Sequence, residues 1–324
     1  MRDHVLIAPD KFKGTYEAAA IAAAMAAGVR RAGSEPRAMP VGDGGDGTAE
    51  VLLAALGGSR RSAAVSDALG RPVRASFALL ADGRVAVDVA AASGMGTLAE
   101  EELDAVAATT RGTGELIVAA IADGAREVIL CAGGSATTDG GAGILEVVEG
   151  AGLRPSITVV CDVSTTFERA AAIFAPQKGA TPDQVEMLAA RLDRLAAALP
   201  RDPRGLPMGG AAGGLAGALW ARLDARLVPG AAFVLDAIGF DRALADSSLV
   251  LTGEGRIDSQ TAEGKAVSEV SGRAAAAGVD CAVIVGRDDL GPDGAAALGL
   301  RDVVVAGTPA AIEAAARTLV ERSL

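Results

Sequence analysis

His4-Val5-Leu6-Ile7-Ala8-Pro9-Asp10-Lys11-Phe12-Lys13-Gly14-Thr15 opens the chain with a short apolar run that gives way to proline, charge and glycine. A strand buried on both faces reads as such a run, and α/β proteins gather their ligands just beyond the carboxyl ends of strands. An alanine-rich helical stretch, 17–31, follows, and the same strand-then-helix unit recurs. Strands are predicted at 4–8, 37–41, 248–252, 280–285 and 302–306, with helices after them at 17–31, 48–56, 264–277, 292–298 and 309–321. Five such units fit an α/β fold with a flavodoxin-like parallel five-stranded sheet of strand order 2-1-3-4-5.

Between the second and third of these strands the rhythm changes. Segments 73–80 and 84–89 alternate and join at Ala81-Asp82-Gly83, which reads as a hairpin. A helix at 114–123 and strands at 127–131 and 157–160 follow. Thr181-Pro182-Asp183-Gln184 is a capping-box pattern with proline at the first helical position, opening a helix to about residue 199. The expected organisation is a flavodoxin-like domain of residues 1–64 and 237–324, interrupted by a second α/β domain of residues 65–236.

Composition narrows the function. At 324 residues, half of them apolar, the chain can bury a large core. Its longest membrane-span candidate, 18–27, is far short of the roughly 18 residues needed. Only four residues precede Val5, too few for a signal peptide, so a cytoplasmic protein is expected. Cys131, Cys161 and Cys281 are widely spaced in apolar runs and read as small buried residues. A net charge of -11 with few aromatics argues against a nucleic-acid partner. His4 is the single histidine, so an acid or base should be a carboxylate.

Lysine is used sparingly. Lys11, Lys13, Lys178 and Lys265 lie in or beside glycine-bearing loops, and the other twenty-six basic residues are arginine. A movable ammonium follows a phosphoryl group better than a planar guanidinium does. Lys11 reads as the solvated neighbour of Lys13. Lys178, in Pro176-Gln177-Lys178-Gly179, and Lys265, in Glu263-Gly264-Lys265, each precede a predicted helix, whose N-terminal dipole favours phosphate.

Three loops converge on one edge of the first domain: Asp10 to Thr15, the run Asp43-Gly44-Gly45-Asp46-Gly47-Thr48, and Gly253-Glu254-Gly255-Arg256-Ile257-Asp258. The second sets three glycines and two aspartates before a helix, a pattern for an anion at the helix N-terminus with Mg²⁺ on Asp43 and Asp46. In the inserted domain, Gly133-Gly134-Ser135-Ala136-Thr137-Thr138-Asp139-Gly140-Gly141 follows a strand and offers amides and hydroxyls to a triphosphate or a small hydroxy acid. It is not a Walker A loop, and no dinucleotide fingerprint is present. Asp162 ends an apolar strand as a base for a hydroxyl or a metal ligand.

Together these stretches, with Ala90-Ala91-Ala92-Ser93-Gly94, Gly112-Thr113-Gly114-Glu115-Leu116 and residues 210–219, resemble the type I glycerate kinases in family order from residue 5 to about 270. The resemblance implies a flavodoxin-like domain carrying an inserted domain, an active site in the cleft between them, and MgATP-dependent phosphorylation of D-glycerate, at the 2-hydroxyl rather than the 3-hydroxyl. Within such a site Lys13 and Lys265 would neutralise phosphate or carboxylate charge, and Asp43 and Asp46 would act through magnesium. Asp162 or Asp139 would orient or deprotonate the glycerate hydroxyl. Ser93 and the 133–138 loop, with Gly133, Gly134, Ser135 and Thr137, would donate hydrogen bonds. Asp10, Gly44, Gly45, Thr48, Gln177, Lys178, Gly253, Glu254, Gly255 and Asp258 would complete the binding surface. The partners implied are ATP and a small hydroxy acid, in a monomer or homodimer.

Departures from the family pattern leave two alternatives: another small hydroxy acid as substrate, or a non-catalytic ligand-binding homologue. Asp46 stands where the family has glutamate, Ser164-Thr165-Thr166 replaces an Asn-Pro pair, and 148–157 is much shorter than in relatives and leads directly into Asp162. After Val285 the match is weak.

Overall fold

The computed structural model describes residues 4–258 and 265–323 and divides into two compact units, Met1–Asp43 with Gly230–Leu324, and Gly44–Pro229. In the first unit β1 (His4–Pro9), β2 (Glu35–Ala38), β9 (Ser247–Ile257), β10 (Asp280–Asp288) and β11 (Asp302–Val305) form one parallel sheet of order β11-β10-β9-β1-β2. Numbered within the unit this is 2-1-3-4-5, the predicted order. β2 ends before the expected 41, yet the chain stays beside β1, because Met39 and Val41 donate backbone N–H bonds to the carbonyls of Ile7 and Pro9.

Side-chain alternation explains why the central strands β1, β9 and β10 carry apolar runs. Val5, Ile7, Leu249, Leu251, Ala282 and Ile284 point to one face, into a core shared with Ile21, Met25 and Val29 of α1 (Ala18–Arg31) and Ile312 and Leu319 of α13 (Pro309–Glu321). Leu6, Ala8, Val250, Cys281, Val283 and Val285 point to the other, against Val267 and Val270 of α11 (Ala266–Ala276). Each fully buried Leu or Ile contributes about 1.5–3 kcal/mol.

The second unit holds a six-stranded sheet of order β3-β4-β5-β6-β7-β8. β3 (Gly58–Ser66), β4 (Pro72–Leu80) and β5 (Arg84–Asp88) are antiparallel neighbours, and β5, β6 (Glu127–Cys131), β7 (Ser156–Cys161) and β8 (Arg226–Pro229) run parallel. The β4–β5 hairpin closes at the expected turn, with Gly83 at φ 86° donating to the Leu80 carbonyl. α7 (Pro182–Ala198) begins with the predicted capping box: Gln184 N donates to Thr181 Oγ1 at 3.4 Å and Thr181 N to Gln184 Oε1 at 2.8 Å.

The units divide at 43/44 and 229/230, where the sequence reading puts boundaries at 64/65 and 236/237. The first shift has a clear origin. α2 (Thr48–Leu56) packs on β4 and β5, and β3 pairs with β4 along its length, so both belong to the second unit. A boundary at 64 would cut through β3. Among the described residues no helix is long and apolar enough to cross a membrane.

Candidate active site

In the second unit the chemistry-bearing residues follow β5, β6 and β7. β5 ends at Asp88, whose buried carboxylate accepts from Gly47 N (2.9 Å) and Ala49 N (3.1 Å). Asp88 therefore caps α2 from across the unit, and those helix N-terminal amides, expected to face a ligand anion, are taken by the protein's own carboxylate. Burial raises the Asp88 pKa to about 6 against the pull of the two amides, with Asp46 adding repulsion. Thr48, in the first turn, is buried.

β6 leads into the 133–141 turn. Gly133 donates to the Gly44 carbonyl, and a Cβ on Gly133 would stand 2.4 Å from Gly45 Cα, so the two glycine loops lie backbone to backbone. Gly134 adjoins the Asp46 side chain. Ser93, in α3 (Ala90–Ser93), is fully buried; its hydroxyl accepts from Thr113 Oγ1 at 2.9 Å and its carbonyl from Ala136 N. Its bonds hold the turn.

Asp139 is the most heavily used carboxylate described. Fully buried, it accepts from Thr110 N (2.9 Å), Thr110 Oγ1 (2.8 Å), Thr109 Oγ1 (3.4 Å), Gly141 N (3.0 Å) and Gly143 N (3.2 Å). It thus joins the N-termini of α4 (Arg111–Ala122) and α5 (Ala142–Gly150). Five donors already occupy the oxygens of this carboxylate, which leaves little room for a substrate hydroxyl to approach them.

Lys178 does not lie out along the α7 N-terminus as the sequence suggested. It turns inward, buried, with Nζ donating to Ser135 Oγ at 3.1 Å and to the Thr137 carbonyl. Burial lowers its pKa to about 7, while Asp139 at longer range opposes the shift. The hydroxyls of Thr137 and Thr138, also buried, find no hydrogen-bond partner among the described residues. Gln177 is exposed.

Behind this turn Gly213 meets Thr137 so closely that a Cβ would lie 2.1 Å from the Thr137 carbonyl oxygen, at a φ of 68°. The 208–214 loop is in turn held by Gly210 N donating to the Thr165 carbonyl at 2.8 Å. Asp162 is half-buried just past β7, where its charge helps raise the Cys161 thiol pKa to about 12, after burial. The shortened stretch between α5 and β7 enters β7 at Ser156, the opposite end of the strand from Asp162. Six extended residues separate them, about 20 Å.

In the first unit Asp10 follows β1, its Oδ1 accepting from Lys11 N at 2.7 Å and its own N–H donating to the Gly253 carbonyl. Burial, then Asp43, then Glu254 raise its pKa well above the usual carboxylate range, while the Lys11 amide and charge pull the other way. Phe12 to Tyr16 form a tight turn on a buried Phe12, presenting an exposed Lys13, and Gly255 lies against the Phe12–Lys13 backbone. Asp258 pairs with Arg256 at 3.5 Å. Lys265 is half-buried at the N-cap of α11, its carbonyl accepting from Glu269 N and Ser268 Oγ. Glu263 and Gly264 lie outside the described residues. No three His, Cys, Asp or Glu side chains among the described residues form a metal-holding group. Asp43 closes the first unit and Asp46 lies in the second.

Sequence reasoning did not single out Asp88, Thr110 or Thr113. Asp88 carried the same signal as Asp162, a carboxylate ending an apolar run.

The glycerate kinase family model matches residues 5–154 and 151–322, so the match continues past Val285 and its break falls at the shortened stretch. The chain is 38% identical over 301 residues to a glycerate kinase of Bacillus subtilis (81% of this chain, 79% of the relative), and 36% identical to a glycerate 2-kinase of Escherichia coli, with the same coverage. A solved structure from Salmonella typhimurium LT2, provisionally described as glycerate kinase 2, superposes with a TM-score of 0.83 at 33% identity, covering 98% of this chain and 97% of that one. The chain is a kinase by this relationship and belongs to the glycerate kinase family.

Proposed function

We propose that the protein phosphorylates D-glycerate with ATP as donor, at the 2-hydroxyl. The observation carrying this reading is the 133–141 turn, where Ser135, Thr137 and Thr138 hydroxyls and the buried Lys178 amine gather at the end of β6, two of those hydroxyls still lacking partners. The donor set suits an anionic small molecule. The family match and the Escherichia coli relative's description as a 2-kinase support the substrate and regiochemistry.

Asp162, at the end of β7, is the carboxylate we assign to orienting the attacking hydroxyl, since Asp139 is committed to its five donors. Lys13, exposed on its turn, is mobile enough to follow a phosphoryl group. Asp43 and Glu254 push Asp10 towards its protonated form, and Asp10 and Asp43 are hard oxygen donors of the kind that hold Mg²⁺ together with its waters and substrate phosphates; Asp46, in the second unit, is a separate candidate ligand. When bound, Mg²⁺ would offset phosphate charge. Asp10 would then hold its carboxylate in the ionised form.

Another hydroxy acid as substrate is less favoured, because the shortened stretch meets β7 at the end away from Asp162. The test is ADP release with MgATP across D-glycerate and a panel of small hydroxy acids. D-Glycerate should give the highest kcat/KM, and Lys13→Ala should lower it by about 10²-fold with the melting temperature unchanged. ADP release with every acid except D-glycerate would overturn the substrate assignment, and nucleotide binding with no turnover on any acid would favour a non-catalytic homologue.

A further inference from the structure

The turn after β6 gathers one buried amine and two buried hydroxyls without partners. Lys178 is 2% exposed, and the acceptors its Nζ reaches are Ser135 Oγ and the Thr137 carbonyl. An ammonium has three N–H donors and an amine two with a lone pair, so two acceptors match the amine. Asp139 is the charged group whose field reaches Nζ, but its oxygens already serve Thr109, Thr110, Gly141 and Gly143. On the same turn the Thr137 and Thr138 hydroxyls are fully buried without a partner. Buried hydroxyls are ordinarily satisfied, and each of these two has a donor free for an acceptor. The turn comes towards the surface at Gly133 and Gly134, both half-buried.

We propose that Lys178, Thr137 and Thr138 form an anion subsite for a carboxylate or phosphoryl oxygen, and that Lys178 takes up a proton from solvent when the anion binds. The proton goes onto the Nζ lone pair, and no bond in the ligand is made or broken. Burial has already brought the amine down to about 7, so near pH 8 it is largely neutral, and an adjacent anion restores the ammonium. The ligand's identity, D-glycerate or ATP, rests on the kinase reading above.

Calorimetric titration of the full chain at pH 8, with D-glycerate alone and with MgATP alone, in two buffers of different ionisation enthalpy, reads the proton count. Uptake approaching about one proton per ligand is expected in one arm, which identifies the source as carboxylate or phosphoryl. Lys178→Met should bind that ligand about tenfold more weakly or worse, with the uptake gone. Lys178→Arg, permanently charged, should bind it with no uptake, and it keeps the test decisive if the methionine variant does not fold. Wild-type binding of both ligands without buffer-dependent heat, in a chain that still releases ADP, overturns the subsite and leaves the kinase reading standing. Unchanged uptake in either variant also overturns it. Binding of neither ligand with no ADP release sinks the kinase reading and this inference with it.

Discussion

The carboxylates of the two units live under opposite conditions. In the second unit Asp139 is surrounded by five donors and Asp88 by two helix amides. In the first, Asp10 faces Asp43 and Glu254, with the Lys11 amide and charge as the opposing influences. Asp139 and Asp10 both lie beyond apolar strands and both read as site residues in sequence, whereas Asp88 does not stand out there. The difference teaches that a strand-end aspartate ties the fold together when amides converge on it, and is pushed towards its protonated form when other carboxylates do.

Substitutions should therefore move stability in opposite directions. Asp139→Ala strands five donors in the interior and should cost about 3–5 kcal/mol by urea unfolding; a loss below about 1 kcal/mol would show that water replaces the carboxylate. Gly213→Ala tests the backing of the same turn, and its Cβ against the Thr137 carbonyl at positive φ should cost about 2–3 kcal/mol.

Asp88 is expected to show a smaller effect with a pH signature. Asp88→Ala removes the α2 cap and should cost about 1–2 kcal/mol. Since its folded pKa is raised to about 6, the folded state holds that proton more tightly than the unfolded chain does. Its contribution therefore favours folding at about pH 4 and fades as pH rises to about 6. Asp88→Asn should flatten that part of the profile of urea midpoint against pH; a profile unchanged by the substitution would place the titration elsewhere.

Asp10→Asn is the smallest change and carries the opposite sign. Relieving repulsion from Asp43 and Glu254 should raise the melting temperature at pH 7 while reducing Mg²⁺-dependent ADP release. A lower melting temperature would mean that Asp10 is held by its hydrogen bonds more than it is repelled.

Much of the first unit was legible in the sequence because strands buried on both faces, β1, β9 and β10, are apolar runs, and the 2-1-3-4-5 order came from fitting the strand-then-helix units to a flavodoxin-like sheet. The capping box at Thr181 and both ends of α2 and α13 were equally readable, since proline, glycine and cap chemistry act locally. β3 was not. It is a sheet edge whose Arg60, Arg61 and Ser62 face solvent, so it lacks an apolar signature. The allegiance of α2 was hidden because it depends on packing against β4 and β5, distant in sequence. The capping roles of Asp88 and Asp139 were hidden for the same reason, since a strand-end carboxylate does not reveal which amides meet it. The inward turn of Lys178 is likewise a tertiary choice. The shortened stretch enters β7 at Ser156, the opposite end of that strand from Asp162, which no feature of the sequence marks.

The most direct test is ³¹P NMR of the products formed from D-glycerate and MgATP. The account predicts ADP and 2-phosphoglycerate in equal amounts, absent without Mg²⁺ and strongly reduced in Asp162→Asn. A 3-phosphoglycerate product, or no phosphorylated glycerate at all, would contradict it.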